Sequence, residues 1–247
     1  MCGRYASSRN PDDLVEEFEV DEPLIREPLA ADYNVAPTKE VYAVLERPPR
    51  GEEPPAAERQ LRVLTWGLVP SWAKDPSIGN RMINARVETV AEKPAYKRAF
   101  AKRRCLLPAD GYFEWYPTER LTAKGKPAKQ PFFIRPTDGG VLAMAGLYEI
   151  WRDPDKSDDD PDRFRWTCTV ITTDAEDDIG RIHDRMPMMV DRERWSDWLD
   201  PTVASGDLRD LLVPAAPGRL EAFPVSTLVS NVRNNGPELV APLPAES

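Results

Sequence analysis

Cys2 offers the most chemistry in this 247-residue chain. Met1 is commonly removed when the second residue is small, which would leave Cys2 with a free α-amine beside its thiol. An α-amine has a reference pKa of about 7.7–8.0 and a thiol about 8.5, so both can be nucleophilic near neutrality. Held two carbons apart, they can trap one aldehyde twice. The amine forms a Schiff base, and the thiolate then closes a five-membered thiazolidine ring. A cysteine in a frayed tail would do neither, so Cys2 needs partners.

Four further segments supply candidates. His183 is the single histidine, in Ile182-His183-Asp184-Arg185-Met186-Pro187, and its side chain alone has an unperturbed pKa near neutrality. Glu114 stands between aromatics in Gly111-Tyr112-Phe113-Glu114-Trp115. Burial there would raise its pKa and suit it to proton exchange, although strand alternation puts Phe113 and Trp115 on the opposite face, as simple exposure would also do. In Asn84-Ala85-Arg86-Val87-Glu88-Thr89 an amide could fix a carbonyl and a guanidinium could hold phosphate. Trp66 and Trp72 flank a Gly-Pro turn, and their faces could stack on unpaired bases or fill a core.

The elements that must position these residues are short and β-rich. Twenty-six prolines disfavour a helical bundle. Pro11, after Asn10, opens a capped helix with Leu14 and Phe18 inward. Strands are predicted at Val41–Leu45 and Leu61–Trp66, with a polar loop over 47–59 between them. Pro94 is expected to open a helix through Phe100 that presents Lys97, Arg98, Lys102, Arg103 and Arg104. An antiparallel meander then runs through Cys105–Leu107, Tyr112–Tyr116, a turn at Thr122–Lys129, Phe132–Arg135 and Val141–Trp151. Residues 153–162 form an acidic, proline-bounded excursion expected to be mobile. Trp166–Thr173 is another strand. Trp195, Trp198 and Leu199 share a helix face after Asp191, the expected N-cap. The fold class expected is α+β, a β-rich core with helices at its margins, in a single domain over 1–247.

Charge and cysteine content narrow the setting. Net charge is −9, which argues against a nucleic-acid partner until its distribution is read. Residues 1–150 carry 22 basic and 22 acidic side chains, and 81–135 carry 13 against 5. A local excess of about +8 can meet phosphates while the rest stays acidic. Cys2, Cys105 and Cys168 make no metal-ligand spacing and no even disulfide framework, so a reducing, cytoplasmic location and no metal or other cofactor are expected. No stretch approaches the roughly 20 apolar residues of a membrane span, and the N-terminus lacks the apolar core of a secretion signal.

Taken in order, the blocks Met1-Cys2-Gly3-Arg4-Tyr5, Tyr33-Asn34-Val35-Ala36-Pro37-Thr38 and Trp66-Gly67-Leu68-Val69-Pro70-Ser71-Trp72 resemble the SRAP (SOS response-associated peptidase) family. So do Asn84 to Thr89, Cys105 to Trp115, Ile182 to Pro187, and Ser230-Asn231-Val232-Arg233-Asn234. The resemblance spans nearly the whole chain and implies a bifurcated, barrel-like sheet with flanking helices. It implies a protein that exposes its cysteine by losing Met1, in part through its own active site. Such a protein binds single-stranded DNA, and at times the nucleoid, and crosslinks to abasic sites as a thiazolidine. Residue by residue it implies Cys2 as the crosslinking group, Glu114 as acid-base, His183 as proton-transfer partner and Asn84 as the orienting amide. Arg4 and Arg86 would lie near the phosphates, with Asn34, Trp66 and Trp72 completing the DNA-contacting set. A monomer without membrane contact is expected. The acidic excursion is a departure that should sit away from the DNA. Two other readings use the same residues: an N-terminal-nucleophile cysteine peptidase or amidohydrolase, and a non-catalytic reader of modified bases.

Overall fold

A computed structural model describes residues 2–47, 57–175, 177–203, 206, 208–212 and 218–244. In chain order its elements are β1 Tyr5–Ser7, α1 Pro11–Glu17, β2 Glu22–Leu24, β3 Asp32–Val35, β4 Glu40–Arg47, β5 Glu58–Trp66 and β6 Asn84–Arg86. There follow α2 Lys97–Lys102, β7 Arg104–Ala109, β8 Gly111–Leu121, β9 Pro127–Pro136, β10 Leu142–Arg152 and β11 Phe164–Asp174. The chain ends with α3 Asp177–Ile182, β12 Arg185–Pro187, α4 Trp195–Leu199, α5 Leu208–Leu211 and β13 Leu220–Pro224.

The apolar run Val41–Leu45 is continuous because both faces of β4 are buried. Val41, Ala43 and Leu45 point into one cluster with Leu64, Trp66, Cys105 and Cys168. Tyr42 and Val44 point into another, with Phe18, Phe100 and Trp198. The first cluster fills a barrel. Strands run in the order β11-β10-β7-β4-β5, and a parallel pairing of Thr65 with Thr167 and Trp66 with Cys168 joins β5 back to β11. Five strands therefore close on themselves, which removes their free edges. The second cluster packs the outside of that barrel against the helices.

A second sheet, β13-β9-β8-β1-β3, branches from the first. Only Asp110 separates β7 from β8. Its backbone N–H donates to Ala6 O at 2.8 Å, and its carboxylate accepts from Ser8 N at 2.6 Å. Gly111 starts β8 where a Cβ would meet Ile134 O and the Phe133 ring at 2.5 Å. Only glycine permits that approach. The result is a mixed α/β fold with a closed barrel and a bifurcated sheet, in agreement with the fold class read from sequence.

Several local expectations are corrected. The segments 105–151 are not a sequential meander. β8 and β9 do form the expected antiparallel hairpin, but β7 before it and β10 after it pair with each other in the other sheet, where β7 also pairs with β4. The second helix runs over Lys97–Lys102, because residues after Pro94 first make isolated turns. β9 begins at Pro127, so the turn before it is shorter than 122–129. Asp191 occupies an N-cap position, but its carboxylate makes no cap bond and pairs instead with Arg219. Asn10 does cap α1, accepting from Asp13 N at 2.9 Å. Of the loop read at 47–59, residues 48–56 lie outside the described residues. The acidic excursion is laced by ion pairs, Arg152–Asp158 at 2.8 Å and Arg165–Asp153 at 3.3 Å.

The basic cluster also divides. Lys97, Arg98 and Lys102 are exposed, whereas Arg103 pairs with the buried Glu149. Arg104 is 2% exposed. It donates to Trp198 O at 2.6 Å, Phe100 O at 2.9 Å, Ala101 O at 2.8 Å and to Asp200 O. One guanidinium thus satisfies the carbonyl ends of α2 and α4 and fixes both to the barrel, at the cost of a burial that lowers its pKa to about 10. Arg104→Ala leaves four carbonyls without a donor and is expected to lower stability by about 3 kcal/mol or more. Urea denaturation measures this; an unchanged midpoint would contradict the bracing role.

Candidate active site

β1 carries the chain start onto β8. Tyr5 pairs with Tyr112 and Ala6 with Gly111, and Phe113 N donates to Arg4 O at 2.9 Å. Continuing this antiparallel register brings Gly3 opposite Glu114, with Cys2 one residue further. Cys2 is fully buried, inside the barrel cluster that includes Tyr5, Tyr112 and Trp66. From the other side, β6 pairs in parallel with β11, Asn84 beside Val170. That pairing lets Asn84 Nδ2 donate to Cys2 O at 2.7 Å. Tyr96 Oη donates in turn to Asn84 O at 3.1 Å. The second residue of the chain is therefore fixed by one strand, one amide and an apolar wall.

Glu114 is 4% exposed. The face that alternation would leave open is covered by the chain start, so burial dominates and lifts its pKa to about 7. At neutral pH it is poised to give or take a proton. His183 follows α3 and its Nε2 lies 4.0 Å from Glu114 Oε2. Burial lowers the imidazole pKa, so the ring is neutral. Two groups compete for Nδ1: the Arg185 backbone N–H donates to it at 3.0 Å, and the Asp184 carboxylate lies 2.9 Å away. The backbone donor is fixed, while Asp184 is 87% exposed and well hydrated. The ring proton accordingly belongs on Nε2, facing Glu114. The Arg185 guanidinium, itself buried, binds Glu88, Asp174 and Thr172 O. It ties the strand of Asn84 to the loop of His183.

The Cys2 thiol differs from the sequence expectation. Burial, and then the nearby Glu114 charge, push its pKa up, so it remains protonated at neutral pH. It becomes a nucleophile only when a base removes its proton, and Glu114 is the neighbouring carboxylate.

The other sequence-derived positions separate into surface and interior. Arg86 is exposed, shares a strand face with Asn84, and makes no ion pair with any described residue. Trp72 is 61% exposed. Arg4 is half-buried and donates to Asn34 Oδ1 at 2.7 Å and Val229 O at 2.9 Å. Asn34 and Trp66 are fully buried, which corrects the expectation that they touch DNA. Asn34 Nδ2 donates to Val229 O, Asn231 O and Asn234 O at 3.2, 3.0 and 2.9 Å, so it pins the Ser230–Asn234 block beside Arg4. Trp66 packs on Tyr5, with ring centroids 5.1 Å apart, and donates to Ile83 O at 2.9 Å. Sequence reasoning missed Tyr96, Arg185 and Tyr112. Alternation from Glu114 was a signal for Tyr112; nothing local marked the others.

A large cleft of about 810 Å³, lined by Arg62, Phe164 and Trp166 among others, lies elsewhere. Phe164 opens β11, while His183 follows its other end at Asp174, roughly 30 Å away along the strand. The acidic excursion, which precedes Phe164, sits at that same distant end.

A buried cysteine at the second position, gathered with a carboxylate and a histidine, makes a cluster of nucleophilic and proton-exchanging groups. Residues 1–232 match the SOS response associated peptidase (SRAP) family, and the chain belongs to it. It is 37% identical over 241 residues to the abasic site processing protein YoqW of Bacillus subtilis, covering 97% of this chain and 99% of that one. It is 33% identical to the abasic site processing protein YedK of Escherichia coli, covering 98% and 100%. A crystal structure of a Bacteroides thetaiotaomicron protein superposes with a TM-score of 0.79 at 24% identity, covering 98% of this chain and all of that one. No helix among the described residues is long and apolar enough to cross a membrane.

The Glu114 pKa carries a stability consequence. It rises from 4.5 unfolded to about 7 folded, so between these values the folded protein holds a proton that the unfolded chain has released. Stability contributed by this group is present below the lower value and lost as pH rises through the upper one. Glu114→Gln is expected to melt higher than the parent at about pH 8, by an amount on the order of 3 kcal/mol at most, and alike at about pH 5. Thermal melts at the two pH values test this. A variant that melts lower at the higher pH would contradict the burial argument.

Proposed function

We propose that the protein processes abasic sites in single-stranded DNA by becoming covalently attached to them through Cys2. Removal of Met1, which lies outside the described residues, is the precondition, since it frees the α-amine. The observation that carries the reading is the placement of Cys2, buried and held by Asn84 beside a carboxylate with a pKa of about 7. The names of the relatives, abasic site processing proteins, support the same substrate.

The closed sugar must open first. Protonated Glu114 can give its proton to the ring oxygen as the C1′–O bond breaks, and its carboxylate then takes the proton of the C1′ hydroxyl as that carbon becomes an aldehyde. Meanwhile the neutral His183 Nε2–H donates a hydrogen bond to the ring oxygen. The Cys2 amine attacks that carbon, forming a C–N bond and a carbinolamine. Protonated Glu114 gives its proton to the hydroxyl, which leaves as water, and a protonated imine remains. The thiol proton then passes to the Glu114 carboxylate while sulfur bonds to the imine carbon. One C–N and one C–S bond form, one water is released, and Glu114 ends protonated as it began. The final closure is intramolecular, where effective molarities reach roughly 10⁵ M or more, which explains a durable product.

A thiol kept neutral by burial avoids competing with the amine and reacts only after a cationic carbon has formed. A sugar without a base must enter a narrow site, and an unpaired strand has already met most of the unstacking cost. Arg86 and Trp72 are the exposed cation and aromatic nearest in sequence to the site-forming strand and turn, suited to a phosphate and a flanking base.

Purified protein lacking Met1, mixed with single-stranded DNA bearing one abasic site, is expected to give a shifted band on a denaturing gel. The band should be absent for Cys2→Ala and for protein retaining Met1. Arg86→Ala should weaken binding and reduce the salt slope by about 0.7, one single-strand phosphate's share. Turnover of a peptide without any DNA adduct would instead favour an amidohydrolase, and reversible binding that survives Cys2→Ala a non-covalent reader.

A further inference from the structure

The side chain of Tyr112 is fully buried, yet its hydroxyl has no hydrogen-bond partner among the described residues. Buried hydroxyls are nearly always paired, and an orphan in a native structure calls for a reason. The location supplies one. Tyr112 precedes Glu114 by two residues on β8, so both side chains emerge on the same face. It pairs across the sheet with Tyr5 and lies in the apolar cluster that holds Cys2. A second orphan faces the same residue: Asn84 donates its amide N–H to Cys2 O, and its Oδ1 is buried without a partner. An O–H donor and an amide acceptor are thus left unmatched around Cys2. That is what a site built for a small, doubly polar reactant looks like before the reactant arrives.

We propose that Tyr112 is a catalytic residue whose O–H donates to the aldehyde oxygen of the opened abasic sugar, stabilising the negative charge that gathers there as the Cys2 amine attacks. The inference rests on the abasic-site reading above. The phenol keeps its proton throughout. Burial, followed by the charges of Cys2 and Glu114, raises its pKa well above the ordinary value, so it acts as a fixed dipole rather than an acid. The proton that finally makes the oxygen a leaving group comes from Glu114. Asn84 Oδ1 is left to accept from the Cys2 amine N–H, aiming its lone pair at the same carbon. Such donors, aimed at an oxygen whose charge develops during reaction, contribute most where water is excluded, as it is here.

Tyr112→Phe removes the hydroxyl and keeps the ring. At saturating single-stranded abasic DNA its single-turnover crosslinking rate is expected to fall about 10- to 100-fold. Its affinity for an oligonucleotide carrying a tetrahydrofuran abasic analogue, which has no aldehyde, should be unchanged. The melting temperature should hold or rise, because an orphan hydroxyl has been deleted. A rate within twofold of the parent would overturn the proposal, as would equal losses of rate and of analogue affinity, the mark of a structural role. A second variant with difluorotyrosine at position 112, a stronger donor of nearly the same shape, should crosslink faster; a slower rate would also overturn it. If the parent protein forms no adduct at all, the abasic-site reading itself fails, an outcome distinct from those above.

Discussion

Chain ends usually fray because few contacts offset their conformational entropy, and a nucleophile placed there would sample many orientations. Here the constraint is reversed. The hydrogen bond from Asn84 to the Cys2 carbonyl, 2.7 Å long, joins the start of the chain to a strand some eighty residues later. That strand is itself held against β11 of the barrel. Every other part of the site is referenced to this bond. Tyr96, just ahead of α2, steadies the Asn84 backbone carbonyl, the β1–β8 pairing brings Glu114 alongside, and Arg185 ties the same neighbourhood to His183 through Glu88. A terminal residue becomes as well positioned as one in the middle of a sheet.

Burial then sets the chemistry. The wall that immobilises Cys2 also excludes water, and each titratable group responds according to the sign of its charge. The carboxylate and the thiol are pushed up and the imidazole is pushed down. Under the proposed mechanism these shifts set an order of reactivity in which the amine freed by loss of Met1 acts first, Glu114 serves as acid and then as base, and the thiol waits. The cost is a carboxyl that resists ionisation and, around Cys2, the buried Tyr112 hydroxyl and Asn84 Oδ1 without hydrogen-bond partners among the described residues, a pattern common where function is placed above stability. Bracing elsewhere offsets it, through barrel closure, the Arg104 clasp on α2 and α4, and the aromatic contact of Phe18 with Trp195, 4.5 Å between centroids.

Much of this was legible in the residues, and the failures have physical causes. Strands with apolar runs or alternation, such as Val41–Leu45 and Trp166–Thr173, are local signals and were found. Their pairing is not local: the β5–β11 contact that closes the barrel joins residues about a hundred positions apart, and no pattern in either strand announces it. Arg104 was read as part of a basic surface, since charge marks exposure unless a set of carbonyls converges on it, and that convergence is tertiary. Asn34 and Trp66 misled in the opposite direction. A polar amide and an aromatic in a functional block suggest contact with ligand, yet one is consumed by three backbone carbonyls and the other by the Tyr5 ring. For Glu114, alternation alone pointed outward. It did not include the chain start, which supplies the missing cover.

The central claim is that the amine and thiol of residue 2 meet one carbon of an abasic sugar. Peptide-level mass spectrometry of the protein after reaction with abasic single-stranded DNA and nuclease digestion tests it directly. The modified peptide should begin at Cys2 and carry the sugar remnant less one water, with both the amine and the thiol inaccessible to labelling reagents. A remnant on a lysine, or on Cys2 with its thiol still free to alkylate, would contradict the account.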